Sequence, residues 1–154
     1  MFLDSQLVFV PYSRDFLTKS WEWLNDPEIK ALTLTPDFSR EQQEIFYASL
    51  ASRTDYLVWG VALDGQPIGA CGLKHITKDE AEYWGYIGEK LYWGKGLGRQ
   101  MIEHCEEIAR TRGCKVLYLH VGVDNARARR LYARDGFVEV ESACGAEVIM
   151  RKTL

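Results

Sequence analysis

The chain has 154 residues, 47% of them hydrophobic and 27% charged, with a formal net charge of −3. That balance excludes a wholly disordered chain, and its mild acidity offers no basic face for nucleic acid. The length suits a single domain over 1–154 with a closed hydrophobic core.

Cys71, Cys105, Cys114 and Cys144 include no Cys-x-x-Cys and match no zinc or redox spacing. Neither a signal peptide nor an apolar run of about 18 residues is present, so a cytoplasmic protein with reduced thiols, no metal and no membrane association is expected. Monomer and homodimer both remain compatible with the sequence.

Residues 7–10 form an apolar run stopped by Pro11, which predicts a first strand. Ser13 then caps a helix through Phe16, Leu17, Ser20, Trp21 and Leu24, which ends at Asn25-Asp26-Pro27. Ser39 and Gln42 have the spacing of a capping box and open a second helix to about Ala51. Strands follow over 56–63, 67–76 and 81–88, the first pair joined by the hairpin turn Asp64-Gly65. They succeed one another too closely for helical crossovers, so they are expected to be antiparallel.

The order then changes to alternating helix and strand. A helix over 95–112 places Leu97, Met101, Cys105, Ile108 and Ala109 on one face and stops at Gly113. A buried strand over 115–121, a helix over 125–134 closed by Gly136, and strands over 137–140 and 147–150 complete the chain. The expectation is one mixed α/β domain, antiparallel in its N-terminal part and βαβ in its C-terminal part.

Gly94, Gly96 and Gly98 alternate where strand gives way to the long helix. Glycines there let backbone amides approach an anion, and the helix N-terminus adds partial positive charge, so a pyrophosphate is the natural ligand. No Gly-Lys-Ser/Thr follows, which excludes a Walker loop, and the preceding strand belongs to a meander rather than to a Rossmann unit. A merely flexible turn is the other reading.

With its neighbours, the segment resembles the GNAT superfamily of N-acetyltransferases. That family's signature Gln/Arg-x-x-Gly-x-Gly/Ala reads here Trp93-Gly94-Lys95-Gly96-Leu97-Gly98, with Trp93 departing from the pattern in the way common in its ribosomal-protein, polyamine and amino-sugar branches. Farther on, Asn125, Ala128, Leu131, Tyr132, Gly136 and Phe137 are in register with a second signature, Asn-x-x-Ala-x-x-Leu-Tyr-x-x-x-Gly-Phe. Trp23-Leu24-Asn25-Asp26-Pro27 resembles the Trp-x-Asn-Asp-Pro stretch of the same branches. The resemblance implies a mostly antiparallel sheet of about seven strands, splayed at its middle and flanked by about four helices. It also implies direct attack of a primary amine on acetyl-CoA, with pantetheine lying between the splayed strands.

The site residues follow from those motifs. The amides from Gly94 to Arg99 would hold the pyrophosphate, with Lys95 and Arg99 as rim cations or as solvated surface groups. Ile87, Gly88, Trp93 and Leu97 fall in the same cofactor-binding stretch, and Asn125 is a cofactor contact, an N-cap, or both. By resemblance, Tyr132 points its hydroxyl at the CoA sulfur as the acid, while an amphipathic helix would equally explain it as a core residue. Glu82 matches the glutamate of the histone-acetylating branch and shares a strand face with Trp84 and Tyr86, where a raised pKa would suit a base. A plain strand-edge charge is the alternative. His120 takes the place of the glutamate in the ribosomal alanine-acetylating branch and is a second candidate base, or a core histidine. Water could also serve.

His75, His104 and the cysteines have no partner at catalytic or metal spacing and are expected to be structural or surface residues, and Arg127, Arg129 and Arg130 to be a solvated helix face rather than contacts to the CoA 3′-phosphate. The acceptor site is expected around Trp21, Trp23, Trp84, Glu82 and the segment 32–38, with Glu22, Asp26 and Glu28 nearby. An amino sugar, nucleotide-linked or free, is the favoured amine. A protein N-terminus, a polyamine or aminoglycoside, and a non-catalytic acyl-CoA-binding module are the alternatives.

Overall fold

The computed structural model describes residues 6–154, with the backbone alone described for 141–144. In chain order the elements are β1 (Val8–Pro11), α1 (Arg14–Asn25), α2 (Pro27–Leu32), α3 (Arg40–Ser49), β2 (Leu57–Leu63), β3 (Gln66–Lys74) and β4 (Glu80–Ile87). They continue with α4 (Leu97–Thr111), β5 (Val116–Gly122), α5 (Ala126–Arg134), β6 (Val138–Cys144) and β7 (Glu147–Thr153).

The mixed α/β architecture is as expected, with one helix more than anticipated. Pro27 does end α1, but it also occupies the first turn of α2, where a missing N–H costs nothing. The Asp26 carboxylate accepts from the amides of Glu28 and Ile29 and so caps that helix. The capping box at α3 forms as predicted, with Gln42 N–H donating to Ser39 Oγ at 3.0 Å and Ser39 N–H to Gln42 Oε1 at 2.8 Å. Ser13 occupies the N-cap position of α1 without a side-chain cap bond. Asp64 and Gly65, with φ of 50° and 79°, supply the two positive φ values of a tight hairpin turn.

The sheet has seven strands in the order β1-β2-β3-β4-β5-β7-β6. Only β4 and β5 pair in parallel, and that pairing ends after Glu80↔Val116, Ala81↔Leu117 and Glu82↔Tyr118. Past that point β4 stays on β3 as far as Gly69↔Ile87, and β5 stays on β7 as far as Gly122↔Glu147. Each strand follows its outer partner, so a wedge opens between them with backbone edges that lack a ladder partner. The C-terminal βαβ reading needs one amendment: β7 inserts between β5 and β6 and is antiparallel to both.

The face carrying α4 holds most of the core. Leu97, Met101, Ile102, Cys105 and Ala109 bury against Cys71, Leu73, Ala81, Tyr83, Leu117 and Leu119. Each large side chain sunk this far contributes about 1.5–3 kcal/mol relative to exposure. Glu106 interrupts the apolar stripe; it is 3% exposed and bonds Lys152 Nζ, which also reaches Asp135. On the other face α1 buries Phe16, Leu17, Ser20 and Trp23, and the Phe16 ring lies on Gly60, where a Cβ would come within 2.5 Å of it.

Candidate active site

The wedge between β4 and β5 opens into a cavity of about 1160 Å³. Gly94, Gly96, Leu97, Gly98, Trp93 and Ile87 wall one part of it. Gly94 and Gly96 have φ of 74° and 78°, a conformation that L side chains rarely adopt, and Gly96 is the N-cap of α4. No side chain caps α4 and its first turn carries no acidic residue, so its leading amides remain available to an anion. Gly98 serves a different purpose. A Cβ there would lie 3.0 Å from Leu131 Cδ2, so its absence lets α4 and α5 approach. Trp93 explains its departure from the motif by donating Nε1–H to the Ile87 carbonyl at 2.7 Å, which ties the turn to the end of β4.

Lys95 and Arg99 lie outside this wall, and Arg99 pairs with Glu103 one turn away at 2.9 Å. The cations that do line the cavity are Lys74 and, sharing one face of α5, Arg127, Arg130 and Arg134. Arg127 and Arg130 border the cavity while remaining exposed, whereas Arg129 bonds the Val123 carbonyl at 2.7 Å. Gly88 is also absent from the wall. The Trp23 indole packs against it, with a built Cβ only 2.1 Å from the ring.

Tyr132 faces the cavity from α5, edge-on to Tyr83 at 6.3 Å and to Phe137 at 5.9 Å between centroids. Burial pushes its phenol up to about 12, so the hydroxyl remains a donor at neutral pH. Asn125 combines its two expected places: its Oδ1 accepts from Ala128 N–H at 3.3 Å as the N-cap of α5, and it lines the cavity.

The other part of the cavity is aromatic. Trp84 and Tyr86 extend from β4 toward α1, where Tyr12, Phe46 and Tyr56 join them in the wall. Trp84 lies 6.2 Å from Tyr56 and 6.3 Å from Tyr86 between centroids, against Gly72 on the neighbouring strand. Tyr12 and Tyr86 both donate to Ser20 Oγ, at 2.7 and 3.0 Å, and burial raises both phenols.

Trp21 and Trp23 do not reach this wall. Trp21 packs edge-on to Phe38 under the Arg40 guanidinium, while Trp23 is buried and donates Nε1–H to Glu89 at 2.8 Å. Of the nearby carboxylates, Asp26 and Glu28 are both engaged by Lys90 Nζ, at 2.9 and 3.0 Å.

The two candidate bases differ sharply in setting. Glu82 is 6% exposed and outside the cavity wall; His75 Nδ1 lies 2.8 Å from one of its oxygens and Lys74 Nζ 3.8 Å from the other. His75, expected to have no such partner, is therefore its neighbour. His120 stands in the cavity wall, with Nδ1 3.0 Å from Glu147 Oε1. It is not a core histidine, because strand alternation buries Leu119 and Val121 and turns His120 outward. His104 is the structural one, stacked on Phe9 at 4.0 Å, and burial lowers its pKa. Tyr83 and Glu147 escaped the sequence reading. Tyr83 lies on the β4 face opposite Glu82, and Glu147 reaches His120 only through the placement of β7.

An anion cradle beside an unpaired strand edge suits a long cofactor with a phosphate head and an extended amide-bearing arm, which places the chain among coenzyme A-dependent acyltransferases. Residues 17–137 match the Acetyltransferase (GNAT) family, and the chain belongs to it. An uncharacterized N-acetyltransferase of Bacillus subtilis, YycN, is 26% identical over 92% of both chains. The [ribosomal protein bS18]-alanine N-acetyltransferase of Salmonella typhimurium is 33% identical over 47% of this chain and 49% of that one. Among solved structures, the spermidine N-acetyltransferase of Vibrio cholerae in complex with CoA and spermine superposes with a TM-score of 0.85 at 24% identity, covering 95% and 93% of the two chains. The Campylobacter jejuni N-acetyltransferase PseH with acetyl coenzyme A gives 0.74 at 18% identity, covering 96% and 99%. Membership of this family makes the chain an acetyl-CoA-dependent acyltransferase. No group of three or more metal-ligating side chains occurs among the described residues, and no helix is long and apolar enough to cross a membrane.

Proposed function

We propose that the enzyme acetylates the primary amine of an amino sugar, free or nucleotide-linked, with His120 as base and Tyr132 as donor to the leaving sulfur. The carrying observation is the aromatic part of the cavity. Tyr12, Phe46, Tyr56, Trp84 and Tyr86 offer ring faces to a sugar or a base, while Asp26 and Glu28 are held by Lys90 rather than free to bind a polycation. This argues against carrying over the polyamine substrate of the Vibrio cholerae neighbour.

The amides from Gly94 to Arg99 hold the pyrophosphate, and Arg127, Arg130 and Arg134 offer charge to the remaining phosphate. Bound acetyl-CoA supplies an activated acetyl group on a thiol of low basicity. An amine reaches the site mostly protonated and must lose a proton to react. His120 belongs to the cavity wall and its Nε2 makes no hydrogen bond among the described residues, which supports it as the group that takes this proton. Tyr132 hydrogen-bonds the sulfur as it departs, and the thiolate takes up the second proton that the nitrogen sheds on becoming an amide. Glu82 fits this role less well, because both its oxygens face basic groups and it lies outside the wall.

Thiol release from acetyl-CoA, measured across amino sugars, uridine-diphosphate-linked amino sugars, polyamines and peptides beginning with alanine, tests the reading. Turnover confined to the sugars supports it; preference for spermidine or for peptides overturns it.

A further inference from the structure

We infer that Glu147 is a positioning residue for His120, holding the imidazole in the one tautomer that leaves Nε2 free for the acceptor amine. The inference rests on His120 as the base. β7 runs beside β5 with His120 opposite Ile149 and Gly122 opposite Glu147, so His120 and Glu147 emerge on the same face one pleat apart. The absent side chain at Gly122 leaves room there; the nearest atom to a built Cβ is Leu34 Cδ2 at 3.7 Å. Glu147 reaches back to Nδ1 at 3.0 Å.

A carboxylate only accepts hydrogen bonds. The neutral ring therefore carries its proton on Nδ1, which leaves the lone pair on Nε2; the opposite tautomer would set a lone pair against carboxylate oxygens. When the amine N–H bond breaks and the Nε2–H bond forms, the ring becomes an imidazolium with Glu147 as its counter-charge. The proton then leaves from Nε2 to water and the pair resets. The two side chains are 33% and 29% exposed, enough cover to limit screening while keeping an exit for the proton. Tyr118 on its own strand lies 6.3 Å from the ring between centroids, and Asp124, Arg127, Arg130, Arg134, Lys74 and Glu28 are the other charged groups that share the cavity wall with it. Among the described residues none of these bonds His120.

The first test needs no substrate: ¹⁵N shifts of the His120 imidazole in the wild type and in Glu147→Gln. The expected result is an Nδ1–H tautomer in the wild type that shifts toward Nε2–H in the variant, because an amide can donate to Nδ1 where a carboxylate can only accept. In turnover, Glu147→Gln should lower kcat by roughly ten- to a hundredfold, the worth of a hydrogen bond to a charged group, at unchanged KM for acetyl-CoA and unchanged Tm. Glu147→Asp, which keeps an acceptor-only carboxylate, should keep more of the Nδ1–H tautomer and more of kcat than Glu147→Gln. An Nε2–H tautomer in the wild type, or an unmoved tautomer ratio in Glu147→Gln, overturns the proposal. His120→Gln tests the base assignment separately: an unchanged kcat there removes His120 from the reaction, and Glu147 with it.

Discussion

Replacing Tyr132 with phenylalanine separates two kinds of acid. The buried phenol titrates at about 12, whereas an ordinary thiol titrates near 8.5. Full proton transfer to the sulfur is therefore uphill by roughly 3.5 units, or about 5 kcal/mol. The hydroxyl does its work as a hydrogen-bond donor to the charge developing on sulfur, an interaction worth about 1.5–3 kcal/mol. Tyr132→Phe should thus lower kcat by roughly 10- to 150-fold. The KM for acetyl-CoA should hold, because the ring keeps its edge contacts with Tyr83 and Phe137. Thiol release at saturating acetyl-CoA, with a thermal melt as the control for folding, measures this. A loss beyond about 10⁴-fold would make the tyrosine an obligate acid, above the usual range for general acid catalysis. An unchanged kcat would mean that its hydroxyl never meets the sulfur. Either result refutes the reasoning.

Gly96→Ala places a methyl at φ 78°, with a cost of about 1–2 kcal/mol, and should raise the KM for acetyl-CoA more than it lowers kcat. Calorimetry of CoA binding would show the same loss. Glu106 holds its proton up to about 7, chiefly through desolvation and then through Asp135, while Lys152 balances the remaining charge of the cluster. A folded-state pKa above the unfolded value means that stability is greatest in acid and falls as pH rises from about 4.5 to 7, by at most about 3 kcal/mol. Glu106→Gln should flatten that slope in urea melts at pH 5 and pH 8; parallel curves for the two proteins would contradict it. Lys90→Ala frees Asp26 and Glu28, and spermidine should then compete better against an amino sugar than it does in the wild type, by the small margin of an exposed ion pair.

Local signals were legible without coordinates. Gly94 and Gly96 stand where the backbone turns to positive φ, Asn125 caps α5, and the Ser39 box opens α3, because each depends on a few neighbouring residues. Strand alternation likewise put Trp84 and Tyr86 on one face correctly. Pairing across the chain was decided only by the tertiary structure. β4 and β5 part after Glu82 and Tyr118 because each follows its outer partner, and no periodicity within either strand encodes that divergence. The insertion of β7 carries Glu147 to His120, the β3–β4 register sets Lys74 beside Glu82, and Lys90 reaches across to Asp26 and Glu28. Trp21 and Trp23 looked like an acceptor shelf for the same reason: an aromatic ring is equally suited to a core and to a binding wall. Which one it becomes depends on what the rest of the chain packs against it.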